Sequence, residues 1–198
     1  METNKTALIL LAAGGSTRMG VPKQLLMYKN RSLLQISIDT GIHSNTQYQL
    51  LVLGEKYAQI LSQIKLGKMD VIVNAAWEKG MASTLKLGLE YVMEKGSFDQ
   101  VVVILCDQPF ISPELIDQLI TTQNATGKGI VACHYKETNG VPVLFTKKYF
   151  PELLKLTGKE GAKKLIYEHS GDLALVDFEL GIVDIDTRED YRGLIEGL

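Results

Sequence analysis

Leu8-Ile9-Leu10-Leu11-Ala12-Ala13-Gly14-Gly15-Ser16-Thr17-Arg18-Met19-Gly20-Val21-Pro22-Lys23 stands near the start of the chain. An apolar run of strand length stops at small residues, and a hydroxyl pair and two cations follow. The run reads as a buried strand. The segment from Ala12 to Gly20 reads as a loop whose main chain must lie close to a ligand. Small side chains let backbone N–H groups approach a phosphate unobstructed. Arg18 adds a planar fork of donors and Lys23 a point charge. Together they point to a triphosphate site. The loop lacks the Gly-Lys-Ser/Thr ending of a P-loop and the G-x-G-x-x-G spacing of a dinucleotide fold.

Outward from this stretch, apolar β-branched runs alternate with helical spacing. Strands are expected at Ala7–Leu11, Gln49–Leu53, Asp70–Val73, Val101–Leu105, Gly129–His134, Val141–Phe145, Ala174–Val176 and Ile182–Ile185. Helices are expected at Leu33–Ile42, Tyr57–Leu66, Met81–Met93, Pro113–Gln123, Lys147–Leu156 and Gly161–Glu168. That rhythm predicts an α/β fold with a mostly parallel sheet covered on both faces. Asn139-Gly140, between two of the strands, favours a turn, which predicts at least one antiparallel strand. Ser112-Pro113-Glu114 and Thr187-Arg188-Glu189-Asp190 mark helix starts, the second as a capping box with Asp190 in the Glu position.

Composition narrows the function classes. The chain has 198 residues, 45% of them hydrophobic, and a formal net charge of -2. This suits a packed core, gives no basic face for nucleic acid, and argues against disorder. No run approaches the ~18 apolar residues of a membrane span. No secretory cleavage region precedes the first strand, so a cytoplasmic protein is expected, with Cys106 and Cys133 reduced. No linker interrupts the alternation, and residues 1–198 are expected to form a single domain. His43, His134 and His169 share no metal spacing and receive no role.

A second stretch carries chemistry. The strand Val101–Leu105 runs into Cys106-Asp107-Gln108-Pro109. A carboxylate at the C-terminal end of a buried parallel strand lies where open α/β sheets bind ligands. Such a group needs a partner, either a divalent cation shared with substrate phosphates or the turn before Ser112. Near the C-terminus, Asp184 and Asp186 sit two apart in Val183-Asp184-Ile185-Asp186 and would face the same side of a strand.

The first loop, read as Leu11-Ala12-Ala13-Gly14-x-Ser16-x-Arg18-Met19-Gly20-x-Pro22-Lys23, resembles the signature of nucleotidyltransferases with the nucleotide-diphospho-sugar transferase fold. Within them it is most similar to the molybdenum cofactor cytidylyltransferase family. Cys106-Asp107-Gln108-Pro109 resembles that family's metal motif, and Asp184-Ile185-Asp186-Thr187 its C-terminal acidic motif, with Arg188 where proline is usual. Asn74, Trp77, Gly80, Met81 and Thr84 fit a further segment, Thr84 replacing serine. Ala12-Ala13-Gly14 and Cys106-Asp107-Gln108-Pro109 favour cytidine over guanine by family pattern.

The resemblance implies a three-layer α/β/α sandwich with a mixed sheet, a single nucleotidyltransferase domain, and transfer of CMP from CTP to the phosphate of molybdenum-loaded molybdopterin. It assigns Arg18, Lys23 and Asp107 to catalysis and Leu11, Ala12, Ala13, Gly14, Gly15 and Lys23 to the nucleotide. Asn74, Gly80, Ser83 and Thr84 would contact base or ribose, with Trp77 packing behind them. Asp107 and Asp186 would bind Mg²⁺, the choice of Asp186 over Asp184 resting on resemblance alone. A molybdenum hydroxylase or its maturation chaperone is the expected protein partner. Relatives commonly read Gly-Asp-x-Gly-Ala-Arg where this chain has Gly158-Lys159-Glu160-Gly161-Ala162-Lys163, and Lys cannot reproduce the fork of Arg. This departure bears on the acceptor. Guanylyl or sugar-nucleotide transfer, and nucleotide binding without turnover, stay open as alternatives.

Overall fold

The computed structural model describes residues 4–15, 20–158 and 161–197. Arg18 and Lys159 lie outside the described residues. The chain opens with strand β1 (Thr6–Ala12), a hairpin of β2 (Met27–Tyr28) and β3 (Arg31–Ser32), helix α1 (Leu33–His43) and β4 (Tyr48–Leu53). Next come α2 (Tyr57–Leu61), β5 (Asp70–Val73), α3 (Met81–Lys95), β6 (Gln100–Leu105) and α4 (Pro113–Thr126). The second half holds β7 (Ile130–Tyr135), β8 (Thr138–Thr146), α5 (Phe150–Leu153), α6 (Lys163–Glu168), β9 (Leu173–Asp177) and α7 (Arg188–Glu196).

Seven strands form one sheet in the order β5-β4-β1-β6-β8-β7-β9. β1 pairs in parallel with β4 and β6, β4 with β5, and β7 with β9, while β8 runs antiparallel to both its neighbours. Alternation along β1 separates two cores, as period-2 side chains require. Ala7, Ile9 and Leu11 face α3, α5 and α6, whereas Leu8, Leu10 and Ala12 face α1 and α4. The three-layer sandwich with one antiparallel strand is therefore present.

The chain leaves β1 toward β4 and β5 on one side, then returns to build β6 on the other. That reversal makes the C-terminal ends of β1 and β6 the switch point, where open sheets form a crevice. Register brings the two ends level: Leu11 pairs with Leu105, and the Cys106 N–H reaches Leu11 O at 3.4 Å.

Four local expectations are corrected. Ile182–Ile185 forms no strand; a 3-10 turn occupies Glu179–Ile182, and Val183 and Ile185 pack beside Leu33 and Leu194 of α1 and α7. The hairpin turns at Lys136-Glu137, with Lys136 at φ 52°, not at Asn139-Gly140. Gly140 instead lies in β8, where any side chain would run into the Tyr135 hydroxyl. α2 stops at Leu61, where the Gln63 N–H takes Ile60 O at 3.0 Å in a tighter turn, and beyond it the Gln35 amide takes both backbone groups of Lys65, at 2.8 and 3.1 Å. Lys147–Leu156 divides into a 3-10 turn over Lys147–Tyr149 and the short α5, with Pro151 tolerated in the first turn.

Both marked helix starts form as expected. Ser112 Oγ accepts the Leu115 N–H at 3.3 Å, and Thr187 and Asp190 exchange side-chain and backbone bonds at 3.2 and 2.7 Å. Cys106 and Cys133 are buried free thiols.

Candidate active site

At the switch point the small-residue loop and the Cys106-Asp107 corner enclose a cavity of about 300 Å³. Leu11 through Gly15, Lys23, Gly80, Thr84 and Asp107 line it, joined by Trp77, Met81 and Cys106. Most of the expected nucleotide residues are thus brought together. The ring of Trp77 rests where a Gly15 side chain would stand, 2.8 Å from the ideal Cβ position, so Trp77 both packs behind the loop and forms the cavity wall.

Lys23 projects from a 3-10 turn, Lys23–Leu25, that Pro22 initiates. Its Nζ donates to Asp107 Oδ2 at 2.6 Å and to Asp186 Oδ1 at 2.8 Å. Residues 84 and 163 positions apart in sequence thus meet on one ammonium. Burial penalises the Lys23 charge, but the two carboxylates outweigh it and hold the ammonium well above the ordinary lysine range. Partial burial and the charges of Asp107 and Asp186 push Asp184 up. Burial, reinforced by Asp107, pushes the Cys106 thiol to about 12, so it is not a nucleophile at neutral pH.

The geometry fits a divalent cation. Asp107 Oδ1 is buried and has no hydrogen-bond partner among the described residues. A buried carboxylate oxygen without a partner is costly unless a cation completes it. Two carboxylates already converge on one positive charge, and oxygen donors suit a hard ion such as Mg²⁺ or Mn²⁺. No cluster of three or more His, Cys, Asp or Glu exists among the described residues, so substrate oxygens would have to fill the remaining positions.

Sequence reasoning missed Gln24. This side chain is buried, and its Nε2 donates to Ala12 O at 2.8 Å and Gly14 O at 3.0 Å. Pinning those carbonyls fixes the peptide planes of the loop that faces the cavity. A polar residue immediately after Lys23, ahead of the apolar Leu25-Leu26, was the available signal. The expected base contacts divide. Thr84 and Gly80 line the cavity, but Asn74 is buried and donates to Ser83 Oγ and Thr84 Oγ1, both at 3.0 Å. Its Oδ1 accepts from Ala76 N at 2.9 Å, leaving the amide no free hydrogen. Ser83 turns toward a separate groove beside Lys79, Lys86 and Gly158. The Ala82 and Ser83 N–H groups at the start of α3 are also engaged, with Gly158 O and Gly80 O, so these two are not open to a ligand.

A profile described as the MobA-like NTP transferase domain matches residues 8–173. The chain belongs to this family. As a MobA-like transferase it has the nucleotide-diphospho-sugar transferase fold, and the family acts on nucleoside triphosphates. It is 28% identical to the purine catabolism protein PucB of Bacillus subtilis, the match covering 92% of each chain. It is 32% identical to a 2-C-methyl-D-erythritol 4-phosphate cytidylyltransferase of Caldicellulosiruptor bescii, over 65% of this chain and 59% of that one. The crystal structure of Rv0371c from Mycobacterium tuberculosis superposes on the transferase with a TM-score of 0.86 at 29% identity, covering 100% of both chains. A second Rv0371c structure, a complex with manganese, gives a TM-score of 0.82 at 28% identity over 99% of this chain and 100% of that one. No helix among the described residues is long and apolar enough to cross a membrane.

Proposed function

We propose that this transferase moves CMP from CTP to the phosphate of molybdenum-loaded molybdopterin and releases pyrophosphate. The observation that carries the reading is the meeting of Asp107 and Asp186 on Lys23 beside the Ala12–Gly15 loop. Both the base assignment, through the family pattern at Ala12-Ala13-Gly14 and Cys106-Asp107-Gln108-Pro109, and the acceptor rest on the family resemblance.

An oxygen of the acceptor phosphate attacks the α-phosphorus of CTP. The new P–O bond forms as the α–β bridging P–O bond breaks, and pyrophosphate departs with the bonding pair. The acceptor is already anionic, so no side chain need remove a proton. What the site must supply is alignment and charge neutralisation. In this reading the main-chain N–H groups of Ala12 to Gly15 hold the triphosphate, with Gln24 fixing their orientation. Lys23 and Arg18 offset the charge on the leaving pyrophosphate. Gly80 and Thr84 border the nucleoside, and Asn74 holds Thr84 in place. Asp107 and Asp186 would hold Mg²⁺, which when bound neutralises phosphoryl oxygens.

The test is incubation with Mg²⁺, molybdenum-loaded molybdopterin and each of the four nucleoside triphosphates, scored by pyrophosphate release. Turnover with CTP well above the other three is expected. A preference for GTP, or binding of CTP with no product, would refute the assignment. Lys23→Ala and Asp107→Ala should each remove most of the turnover while remaining folded at assay temperature.

A further inference from the structure

The phosphate loop and the carboxylate pair leave the residue next to Asp107 without a role. Gln108 is 4% exposed and is absent from the residues lining the nucleotide cavity. Its Nε2 donates to Val141 O in β8 at 3.2 Å and to Gly181 O at 3.1 Å. Its Oε1 is buried with no partner among the described residues. An apolar side chain of the same size would avoid that unmet acceptor, so any gain from the amide lies in its donor contacts, among them one with the Tyr135 hydroxyl.

The bond to Gly181 O holds a segment that lies outside the sheet, and the bond to Val141 O ties Gln108 to β8. After β9 the chain is tied down where the Phe178 N–H meets His134 O at 2.8 Å, where Gln108 meets Gly181 O, and where the Ile185 N–H meets Asp107 O at 3.0 Å. Asp186 is the next residue. One dipeptide therefore carries the first carboxylate on the Asp107 side chain and grips the segment bearing the second, through the Asp107 carbonyl and the Gln108 amide.

We propose that Gln108 is a positioning residue that sets Asp186 against Asp107, and so sets the affinity for a divalent cation, rather than a reader of the nucleotide base. The inference rests on Asp107 and Asp186 being the metal pair.

Gln108→Met keeps the volume and removes the donors; Gln108→Asn keeps the amide but falls one methylene short. Mn²⁺ affinity, read from the electron paramagnetic resonance signal of the free ion, should weaken about tenfold in both, the size found when outer-shell partners of metal ligands are lost. Saturating Mn²⁺ should bring kcat back toward wild type, and the ratio of kcat/KM for CTP to that for GTP should not change. In the metal-free wild type, the bonded amides of Gly181, Val183 and Ile185 should resist hydrogen exchange. A folded Gln108→Met protein with wild-type Mn²⁺ affinity would overturn the proposal, as would a changed CTP-to-GTP ratio at intact affinity. Rapid exchange of those three amides in the wild type would overturn it without any variant. If Asp107→Ala and Asp186→Ala also leave Mn²⁺ binding unaltered, the metal-site reading falls with it. If they abolish binding and Gln108→Met does not, this inference alone falls.

Discussion

Replacing Lys23 by Met tests the electrostatics of the site before any substrate is added. The methionine keeps the unbranched stem and removes the charge that two acids share. Lys23 and Asp107 have side chains only 14% exposed, while Asp186 is 47% exposed. Breaking a buried ion pair on one side costs about 3–5 kcal/mol, because the remaining charge stays in low dielectric. The exposed Asp186 contact belongs at the surface scale of about 0–1 kcal/mol. The site opens to solvent through the cavity, so the lower edge, about 3 kcal/mol, is the expected loss. In a chain of this size that is roughly 6–12 °C in melting temperature.

Metal gives the second half of the test. In the proposed metal site a divalent ion entering the wild type has to share the carboxylates with an ammonium; in Lys23→Met it does not. Mg²⁺ or Mn²⁺ at about 100 times its dissociation constant adds about 2.7 kcal/mol, nearly cancelling the defect. Thermal unfolding followed by circular dichroism, in EDTA and in excess metal, reads both effects. The raised Lys23 pKa fixes the sign with pH. The contribution is fully present below the ordinary lysine value of about 10.4 and is lost as pH rises through the higher folded value. The gap between variant and wild type should stay constant from about pH 6 to 9 and narrow only at more alkaline pH. Equal melting temperatures in EDTA, or equal gains from metal in both proteins, would refute the reasoning.

Two further substitutions probe the parts that hold the site. Gln24→Leu removes the donors from Ala12 O and Gly14 O and should lower kcat/KM for the nucleotide by about tenfold or more, the kinetic equivalent of ~1.4 kcal/mol; unchanged steady-state kinetics would remove Gln24 from the phosphate site. Asp172→Ala strands the buried Tyr149 hydroxyl and the Gly129 N–H, now bonded at 2.8 and 3.0 Å, and should cost about 2 kcal/mol in urea unfolding. Lys148 beside Asp172, then the Gly129 N–H, hold its carboxyl below the usual range. Its contribution is therefore present above about pH 3.9 and lost as pH falls through the lower folded value, so a gap that vanished near pH 7 would contradict the assignment.

The sheet was legible because its strands are long, apolar and interrupted by helical spacing, and the two chemical corners because both end such strands. What the sequence did not show were contacts made by single polar side chains. Gln35 holds the backbone of Lys65 in the stretch that follows α2, and Gln24 and Gln108 bond carbonyls in other segments. A buried glutamine has no period and no motif of its own, so its partner appears only with the tertiary structure. Asn74 shows the converse: its type and place suggested a ligand contact, yet its amide is spent on Ser83, Thr84 and Ala76.

The same asymmetry explains how the site is assembled. β1 and β6 are neighbours in one parallel ladder, so the loop and Asp107 are placed by a stack of backbone bonds that no single substitution removes. Asp186 has no such ladder behind it. It reaches Lys23 from a segment joined to its surroundings through side-chain and main-chain hydrogen bonds, among them the Asp186 N–H to Asp190 Oδ2 at 3.1 Å, and the packing of Val183 and Ile185 against Leu33 and Leu194. The first half of the site is therefore as rigid as the sheet, and the second is as rigid as those contacts. Substitutions that disturb geometry without touching a ligand should act first on Asp186, and in the proposed metal site a cation held by both acids would couple the C-terminal segment to the sheet.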